Sequence, residues 1–139
     1  MKPNQLTGTV EDYLKAVYAG TVENPEKLMS MGLLARNLGL TAGTATTMVK
    51  RIAEQGLLKY QPRQGCELTE LGLVEAKKIL HKHRLLEYFL VKSLGMDWSE
   101  VHQEAEILEH ALSDKLLSRL DAYLGHPPLD PHGKVIPRS

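Results

Sequence analysis

The chain has 139 residues, of which 42% are hydrophobic, enough for one packed domain or two small ones. Its 17 basic and 17 acidic residues balance, and no apolar run approaches the roughly 20 residues needed to span a bilayer. A single cysteine excludes an internal disulfide, and residues 1–5 lack the apolar stretch of a signal peptide. We therefore expect a soluble, cytoplasmic protein with no membrane partner.

The balanced total hides a charge difference between two parts of the sequence. Residues 1–84 hold 12 Lys and Arg against 8 Asp and Glu, a net charge of +4. Residues 85–139 hold 5 against 9, a net charge of −4. A basic half suits a polyanion, which leaves the acidic half for a different role.

The first three predicted helices lie in the basic half. Thr9 and Asp12 have capping-box spacing, so the first helix should begin near Thr9. A short helix over about 31–38 precedes a tight glycine turn, and Thr41 caps a third helix that ends near Gln55. Two short helices joined by such a turn predict a helix-turn-helix.

A β-hairpin is predicted directly after these helices. Apolar runs at 57–61 and 66–69 flank a Pro-Arg-Gln-Gly turn at 62–65. A hairpin in this position is the wing of a winged helix.

Three more helices and a tail complete the predicted fold. The helices span about 70–94, then about 97–112 from a capping-box pair at Asp97 and Glu100, then about 115–124. The residues that follow are proline-rich and are predicted to be irregular.

The third helix has the composition of a DNA recognition helix. Short polar side chains reach base edges, threonine methyls touch thymine methyls, and basic side chains hold phosphates. The alternative is that the threonines cap and solvate an ordinary surface helix, but the hairpin that follows favours DNA binding. The predicted DNA-binding residues, including an arginine at the tip of the wing, are Thr41, Thr44, Thr46, Thr47, Lys50, Arg51 and Arg63.

The densest group of potential metal ligands lies on the fifth predicted helix. At 100° per residue, its two imidazoles and two carboxylates share an arc of about 100°. Without thiolate, such donors favour the harder ions among Mn, Fe, Co, Ni and Zn. The four side chains are His102, Glu106, Glu109 and His110.

A second pair supports the metal prediction. His83 and Glu87 are four residues apart on the preceding helix and share a face. The alternative is a solvated acidic face with surface histidines. Four donors on one stripe together with this pair favour a metal site.

Other potential donors carry weaker expectations. Position alone favours a capping role for Asp12, and His81 points away from the predicted ligands. His126 and His132 lie in the tail and are not expected to bind metal. Cys66 is expected to be a small packing residue of the wing rather than a redox sensor.

Together these motifs resemble the diphtheria toxin repressor and manganese transport regulator family of metal-dependent repressors. The resemblance covers residues 6–124 and is carried by residues 9–14, 45–58, 81–87 and 101–114.

The resemblance implies two metal sites. The primary site would use Asp12, Glu106, Glu109 and His110, and the ancillary site would use His83, Glu87 and His102. Iron-responsive members have Met and Cys at the positions of Asp12 and Glu106, so this sequence resembles the manganese-responsive branch. Mn²⁺ is the expected cofactor, with Fe²⁺, Zn²⁺, Co²⁺ and Ni²⁺ as alternatives. Lys15 replaces the second carboxylate of the binuclear branch, which favours two separated sites.

The resemblance also implies a mainly α fold and a regulatory function. Metal would tie the first helix to the fifth and hold the two winged helices of a homodimer at the spacing of a pseudo-palindromic operator in double-stranded DNA. The predicted domains are a winged helix-turn-helix over 1–72, a helical dimerisation and metal-binding domain over 73–125, and an irregular tail over 126–139. Longer relatives add a C-terminal SH3-like domain, so we expect either a member of the short branch or a piece of a longer protein. The resemblance implies a repressor of metal-uptake genes.

Two rival functions remain. One is a metal-independent winged-helix regulator whose acidic helix is merely solvated. The other is a metallohydrolase, since Glu-x-x-Glu-His could hold a catalytic ion. No nucleophile motif accompanies this cluster, so no enzymatic activity is expected.

Overall fold

The computed structural model describes residues 6–22 and 24–138, and the N-terminal stretch considered for a signal peptide lies outside them. The chain divides into two compact units, Met1–Ala76 and Lys77–Ser139, so the tail belongs to the second unit. The elements are α1 (Gly8–Thr21), α2 (Met31–Leu38), α3 (Ala42–Glu54), β1 (Leu58–Gln61), β2 (Gly65–Leu68), α4 (Glu70–Lys92), α5 (Val101–Glu109) and α6 (Asp114–Tyr123).

The predicted helix-turn-helix is confirmed in α2 and α3. The Ser30 side chain caps α2, and Gly39 ends it with a φ of 71°, a conformation that glycine adopts without strain. Thr41 then caps α3 by accepting a hydrogen bond from the backbone N–H of Thr44.

The N-cap predicted for α1 was wrong by two residues. Thr7 is the N-cap, and its side chain accepts a hydrogen bond from the backbone N–H of Val10. Thr9 lies inside the helix, so Asp12 is beyond the first turn and takes no part in a capping box.

The predicted wing is an antiparallel hairpin of β1 and β2, in which Leu58 pairs with Leu68. At its tip the backbone N–H of Gln64 donates to the Gln61 carbonyl at 3.0 Å, and Arg63 has a φ of 68°. These are features of a type II turn. Met29 adds a single antiparallel bridge beside β2.

The core of the first unit is apolar and joins the helices to the wing. Leu14 of α1, Leu34 of α2 and Ile52 of α3 are all fully buried. At Gly72, near the start of α4, an added Cβ would lie 2.0 Å from the Leu57 carbonyl oxygen. Glycine is needed there because the helix backbone approaches the hairpin so closely.

The second unit contains the rest of α4, then α5, α6 and the tail. The predicted capping box at the start of α5 was wrong: Asp97 instead accepts hydrogen bonds from the backbone and hydroxyl of Ser99, and the helix begins at Val101. Ser113 caps α6. In the described part of the chain, no helix combines the length and apolar content needed to cross a membrane.

Candidate metal centre and DNA-binding surface

The threonines of α3 already hold hydrogen bonds within the helix. The Thr41 hydroxyl donates to Thr44 Oγ1 at 2.9 Å, and those of Thr46 and Thr47 donate to backbone carbonyls four residues earlier. Thr41, Thr46 and Thr47 can therefore still offer their methyl groups and oxygen lone pairs to a base edge. Thr41, Thr44 and Thr47 are exposed, whereas Thr46 is half-buried.

The basic residues predicted to bind DNA are also exposed in the first unit. Lys50 and Arg51 follow on α3, and Lys50 Nζ lies 5.8 Å from the centroid of the Tyr60 ring on β1. Arg63 occupies the tip of the wing. The helix and hairpin therefore expose cationic side chains of the kind that bind phosphates.

Three predicted ancillary ligands lie together in the second unit. His83 and Glu87 are buried on α4, and His102 extends from α5. His83 Nε2 lies 3.1 Å from His102 Nδ1 and 3.4 Å from Glu87 Oε1. One ligand atom from each of the three lies within 4.8 Å of the others, so the three side chains could hold one cation.

Glu109 lies between this cluster and His110, the next residue along the chain. Its side chain is completely buried, and one carboxylate oxygen contacts His83 Nδ1. Its other oxygen lies 3.7 Å from Nε2 of the half-buried His110. Because carboxylates commonly orient metal-binding histidines in this way, Glu109 leaves His83 Nε2 directed toward Glu87 and His102.

The remaining predicted primary ligands are more exposed. The Glu106 side chain is 50% exposed, and its Oε1 lies 3.1 Å from His102 Nε2, one turn earlier on α5. Asp12 is a half-buried residue of α1 in the first unit.

Glu87 shows most directly that a cation fits. Burial raises the pKa of its carboxyl, but the His83 hydrogen bond and the charges of neighbouring histidines outweigh burial, so the pKa lies below its ordinary value. Its Oε2 is buried and has no hydrogen-bond partner. A buried, ionised oxygen without a donor is costly unless a positive charge binds it. The residues present therefore fit a divalent metal ion.

Two tail residues also lie beside Glu87: His132, which was not expected to bind metal, and Asp130, which the sequence did not single out. His132 Nδ1 lies 3.9 Å from Glu87 Oε2 and 3.8 Å from Oδ2 of the buried Asp130. Glu87, Asp130 and His132 form a second group with metal-ligand spacing, which shares Glu87 with the first. The sequence offered only a weak signal, one aspartate and one histidine in a proline-rich tail, because chain folding alone brings them to α4.

The other singled-out side chains have structural partners. His81 and His126 both lie near the Asp121 carboxylate, with nitrogen–oxygen distances of 3.6 and 3.1 Å. Cys66 is fully buried, and burial together with the charge of Glu67 raises the pKa of its thiol to about 12. The thiol stays protonated near neutral pH, which agrees with a packing role.

The first unit thus has the fold of a winged-helix DNA-binding domain, and the second contains clustered, buried donors for a divalent cation. Family models match both: the N-terminal DNA-binding domain of iron-dependent repressors over residues 5–66, and their metal-binding and dimerisation domain over 69–138. The chain belongs to the iron-dependent repressor family, which confirms the resemblance and the mainly α architecture. Members of this family are transcriptional repressors rather than enzymes.

Individual relatives agree with this assignment. An HTH-type transcriptional regulator of Methanocaldococcus jannaschii is 40% identical over 119 residues, 86% of this chain and 94% of the relative. The iron-dependent repressor IdeR of Mycobacterium bovis is 36% identical over 96% of this chain. A solved manganese-dependent transcriptional repressor in complex with manganese has 43% identity and a TM-score of 0.82 over 94% of this chain. The chain spans 57% of the mycobacterial repressor and 59% of the manganese-dependent one.

Proposed function

We propose that this protein is a divalent-metal-activated transcriptional repressor that responds to manganese and binds a pseudo-palindromic operator as a homodimer. The observation that carries the proposal is the cluster of buried His83 and Glu87 with the exposed His102, in which one oxygen of Glu87 has no hydrogen-bond partner. It occurs in a chain whose first unit is a winged helix. Repression of metal-uptake genes is the role that the resemblance implies. Action on DNA would require the cytoplasmic location predicted from the sequence.

Binding to DNA is assigned to α3 and the wing. We infer that Thr41, Thr44, Thr46 and Thr47 contact base edges. Thr41, Thr46 and Thr47 would do so mainly through their methyl groups, because their hydroxyl protons are engaged. Lys50, Arg51 and Arg63 would bind phosphates, with Arg63 reaching along the backbone or into the minor groove.

Binding of metal is assigned to the residues identified by the resemblance. Asp12, Glu106, Glu109 and His110 would form the primary site, and His83, Glu87 and His102 the ancillary site. We add the tail residues Asp130 and His132 to the ancillary site, because they form a group with Glu87, which belongs to that site. Bound there, a divalent cation would supply positive charge that offsets the repulsion among these carboxylates.

The proposed preference for manganese follows from donor chemistry. The assigned ligands offer carboxylate oxygen and imidazole nitrogen and no sulfur, which favours harder ions. Fe²⁺ is the main competitor, and Zn²⁺, Co²⁺ and Ni²⁺ also accept such donors.

A homodimer would bury apolar surface that the second unit exposes. Ile107 of α5, Leu116 of α6 and Tyr123 at the end of α6 are 69%, 56% and 77% exposed. Large apolar side chains left in water are typical of surfaces that associate.

The test is DNA affinity measured by fluorescence anisotropy, on duplexes selected from a random library in Mn²⁺. Titrations with Mn²⁺, anaerobic Fe²⁺, Zn²⁺ and a chelator are expected to give a 5- to 150-fold gain with the activating ion. Glu87→Gln, Asp12→Ala and Glu106→Ala should each reduce that gain. Glu104→Gln, which removes an exposed carboxylate of α5 outside the assigned set, is the matched control.

The outcomes separate the proposal from its rival. Equal affinity in Mn²⁺ and in chelator would identify a metal-independent winged-helix regulator. If Asp12→Ala and Glu106→Ala respond to metal as the parent does, the assigned primary site is wrong. The ranking of the ions tests the manganese preference separately.

A further inference from the structure

The tail loop, residues 126–138, is an ordered turn whose tip holds the two donors near Glu87. Asp130 Oδ1 accepts hydrogen bonds from the backbone N–H groups of His132 and Lys134, each at 2.8 Å. The second oxygen of Asp130 remains on the side of His132, at 3.8 Å from its Nδ1. The turn therefore fixes Asp130 and His132 relative to each other.

Both ends of the tail loop meet at one carboxylate of α6. Asp121 is 6% exposed, and Arg138 binds both of its oxygens, through Nη1 to Oδ2 and through Nη2 to Oδ1 at 3.1 Å. Arg138 Nη2 also donates to the Pro127 carbonyl at 2.8 Å, and His126 Nδ1 lies 3.1 Å from Asp121 Oδ2. The ion pair thus closes the loop at its base.

The base of the tail loop also contacts the helix that carries His83 and Glu87. His81 of α4 lies 3.6 Å from Asp121 Oδ2 and 3.4 Å from Arg138 Nη1. One turn further along α4, Arg84 Nη1 donates to the Val135 carbonyl at 2.6 Å. The tail loop is therefore held along the same helix that provides Glu87.

The tail loop has few apolar contacts with which to hold itself in place. Ile136 and Pro127 are its buried apolar residues, whereas Leu129 and Val135 are 44% and 64% exposed. Ordering a segment costs conformational entropy. The burial of two apolar side chains offsets only a small part of that cost. A bidentate arginine–carboxylate pair is directional and charge-assisted, so it can supply the missing constraint.

We propose that the Asp121–Arg138 ion pair is a latch that positions Asp130 and His132 for metal binding beside Glu87. Asp121 and Arg138 are positioning residues, since they act on the ion through the tail loop and do not touch it. The inference rests on the proposed metal-binding function. In addition, the affinity for metal at Glu87 depends on the Asp121–Arg138 contact at the base of the tail loop.

The test is Mn²⁺ binding to the full chain, by calorimetry and by electron paramagnetic resonance of free Mn²⁺. Arg138→Gln is expected to weaken the Glu87 site about 10-fold or more, as loss of supporting contacts does elsewhere. Arg138→Lys keeps the charge but loses the two-point contact and should give an intermediate loss. Lys134→Gln removes a positive charge from the same loop and should bind as the parent does, within about twofold.

A comparison of combined variants tests whether the Asp121–Arg138 latch acts through Asp130 and His132. Asp130→Asn/His132→Ala removes the carboxylate charge of one ligand and the imidazole of the other, and adding Arg138→Gln to it should weaken Mn²⁺ binding no further. Trp98, the only tryptophan, gives an independent signal because its ring centroid lies 5.0 Å from that of His132. In chelator, Arg138→Gln and His132→Ala should change its emission in the same direction, with helical circular dichroism unchanged.

The results distinguish the latch from the function on which it rests. A parent protein that binds no Mn²⁺ would overturn both. A parent that binds Mn²⁺, with an Arg138→Gln variant of equal affinity and equal Trp98 emission, would overturn the latch alone. So would an Arg138→Gln loss that persists undiminished in the Asp130→Asn/His132→Ala background.

Discussion

The winged-helix unit and the second unit differ in what they bury. In the first unit the largest fully buried side chains are apolar, such as Leu14, Leu34 and Ile52. The second unit instead buries charged and imidazole side chains. Among the described residues these are His83, Glu87, Glu109, Asp121 and Asp130. Burying ionisable groups costs free energy unless they are paired or bind a cation.

The interiors of the two units therefore have different roles. The first is organised to stabilise a rigid support for α3 and the wing. The second gives up some stability to hold donors and positioning groups in place. Substitutions in the first interior should therefore act mainly on folding, and those in the second mainly on metal response.

The largest expected effect on stability is in the first unit. Leu34→Ala should lower the free energy of unfolding by about 2–5 kcal/mol, because it leaves a cavity in a fully buried site. Leu33→Ala, at the neighbouring residue that is 41% exposed, should cost less than about 1 kcal/mol. Urea denaturation in chelator measures both, and equal losses would contradict the picture of a tightly packed apolar core.

The same contrast predicts a different result for Glu109→Gln in the second unit. Glutamine keeps the size and one oxygen acceptor but removes the charge, so Mn²⁺-dependent DNA affinity should fall about 10-fold or more. The free energy of unfolding in chelator should fall by about 1–2 kcal/mol, less than for Leu34→Ala, because the amide still offers an acceptor to His83 Nδ1. Anisotropy and urea denaturation test the two halves of this prediction. If Glu109→Gln were as destabilising as Leu34→Ala, the distinction between the two interiors would be lost.

A pH dependence should separate a structural ion pair of the second unit from a surface pair. Burial raises the pKa of Asp121, but hydrogen bonds from Arg138 and His126 and the charge of Arg138 outweigh it, so the folded pKa lies below the ordinary 3.8. The stabilisation is therefore present above that value and is lost as pH falls through the folded pKa.

Asp121→Asn should thus cost about 1–2 kcal/mol at pH 7, discounted for the partly exposed Arg138, and the difference from the parent should shrink once the pH falls below 3.8. Asp114→Asn, which removes an exposed carboxylate 3.5 Å from Lys82 Nζ, is the control and should cost little at any pH. Thermal melts from pH 7 to pH 3 provide the comparison. A constant difference over that range would argue against the ion pair.

The smallest effect on stability is expected at the wing. Arg63 has a φ of 68°, which glycine adopts readily, so Arg63→Gly should change the free energy of unfolding by less than about 1 kcal/mol. Loss of one phosphate contact should reduce the slope of log affinity against log salt by about 1. Arg63→Lys should retain that slope, and an unchanged slope in Arg63→Gly would remove Arg63 from the DNA surface.

Much of the local structure was predictable because it depends on neighbours in the chain. Thr41, Gly39 and the Pro62–Arg63 turn act through backbone contacts within a few residues, and they mark α3, the end of α2 and the wing. The errors were also local. Two threonines near the start of α1 could each have capped it, and the backbone N–H of Val10 bonds to Thr7.

The candidate ancillary site was partly predictable for the same reason. His83 and Glu87 lie four residues apart, so helical geometry alone puts them on one face of α4. The approach of His102 depends on how α5 packs, and here the resemblance supplied what spacing could not.

The sequence by itself therefore determined the order of the helices, the wing and the helical faces that carry potential metal donors, since periodicity and caps act over single turns. Only the tertiary structure decided that Asp130 and His132 reach Glu87 and that Asp121 binds Arg138. The tail has no helical or strand periodicity to specify its path. Its position follows from local turn hydrogen bonds, two buried side chains and one ion pair. The buried contacts and the ion pair exist only once α4 and α6 are packed.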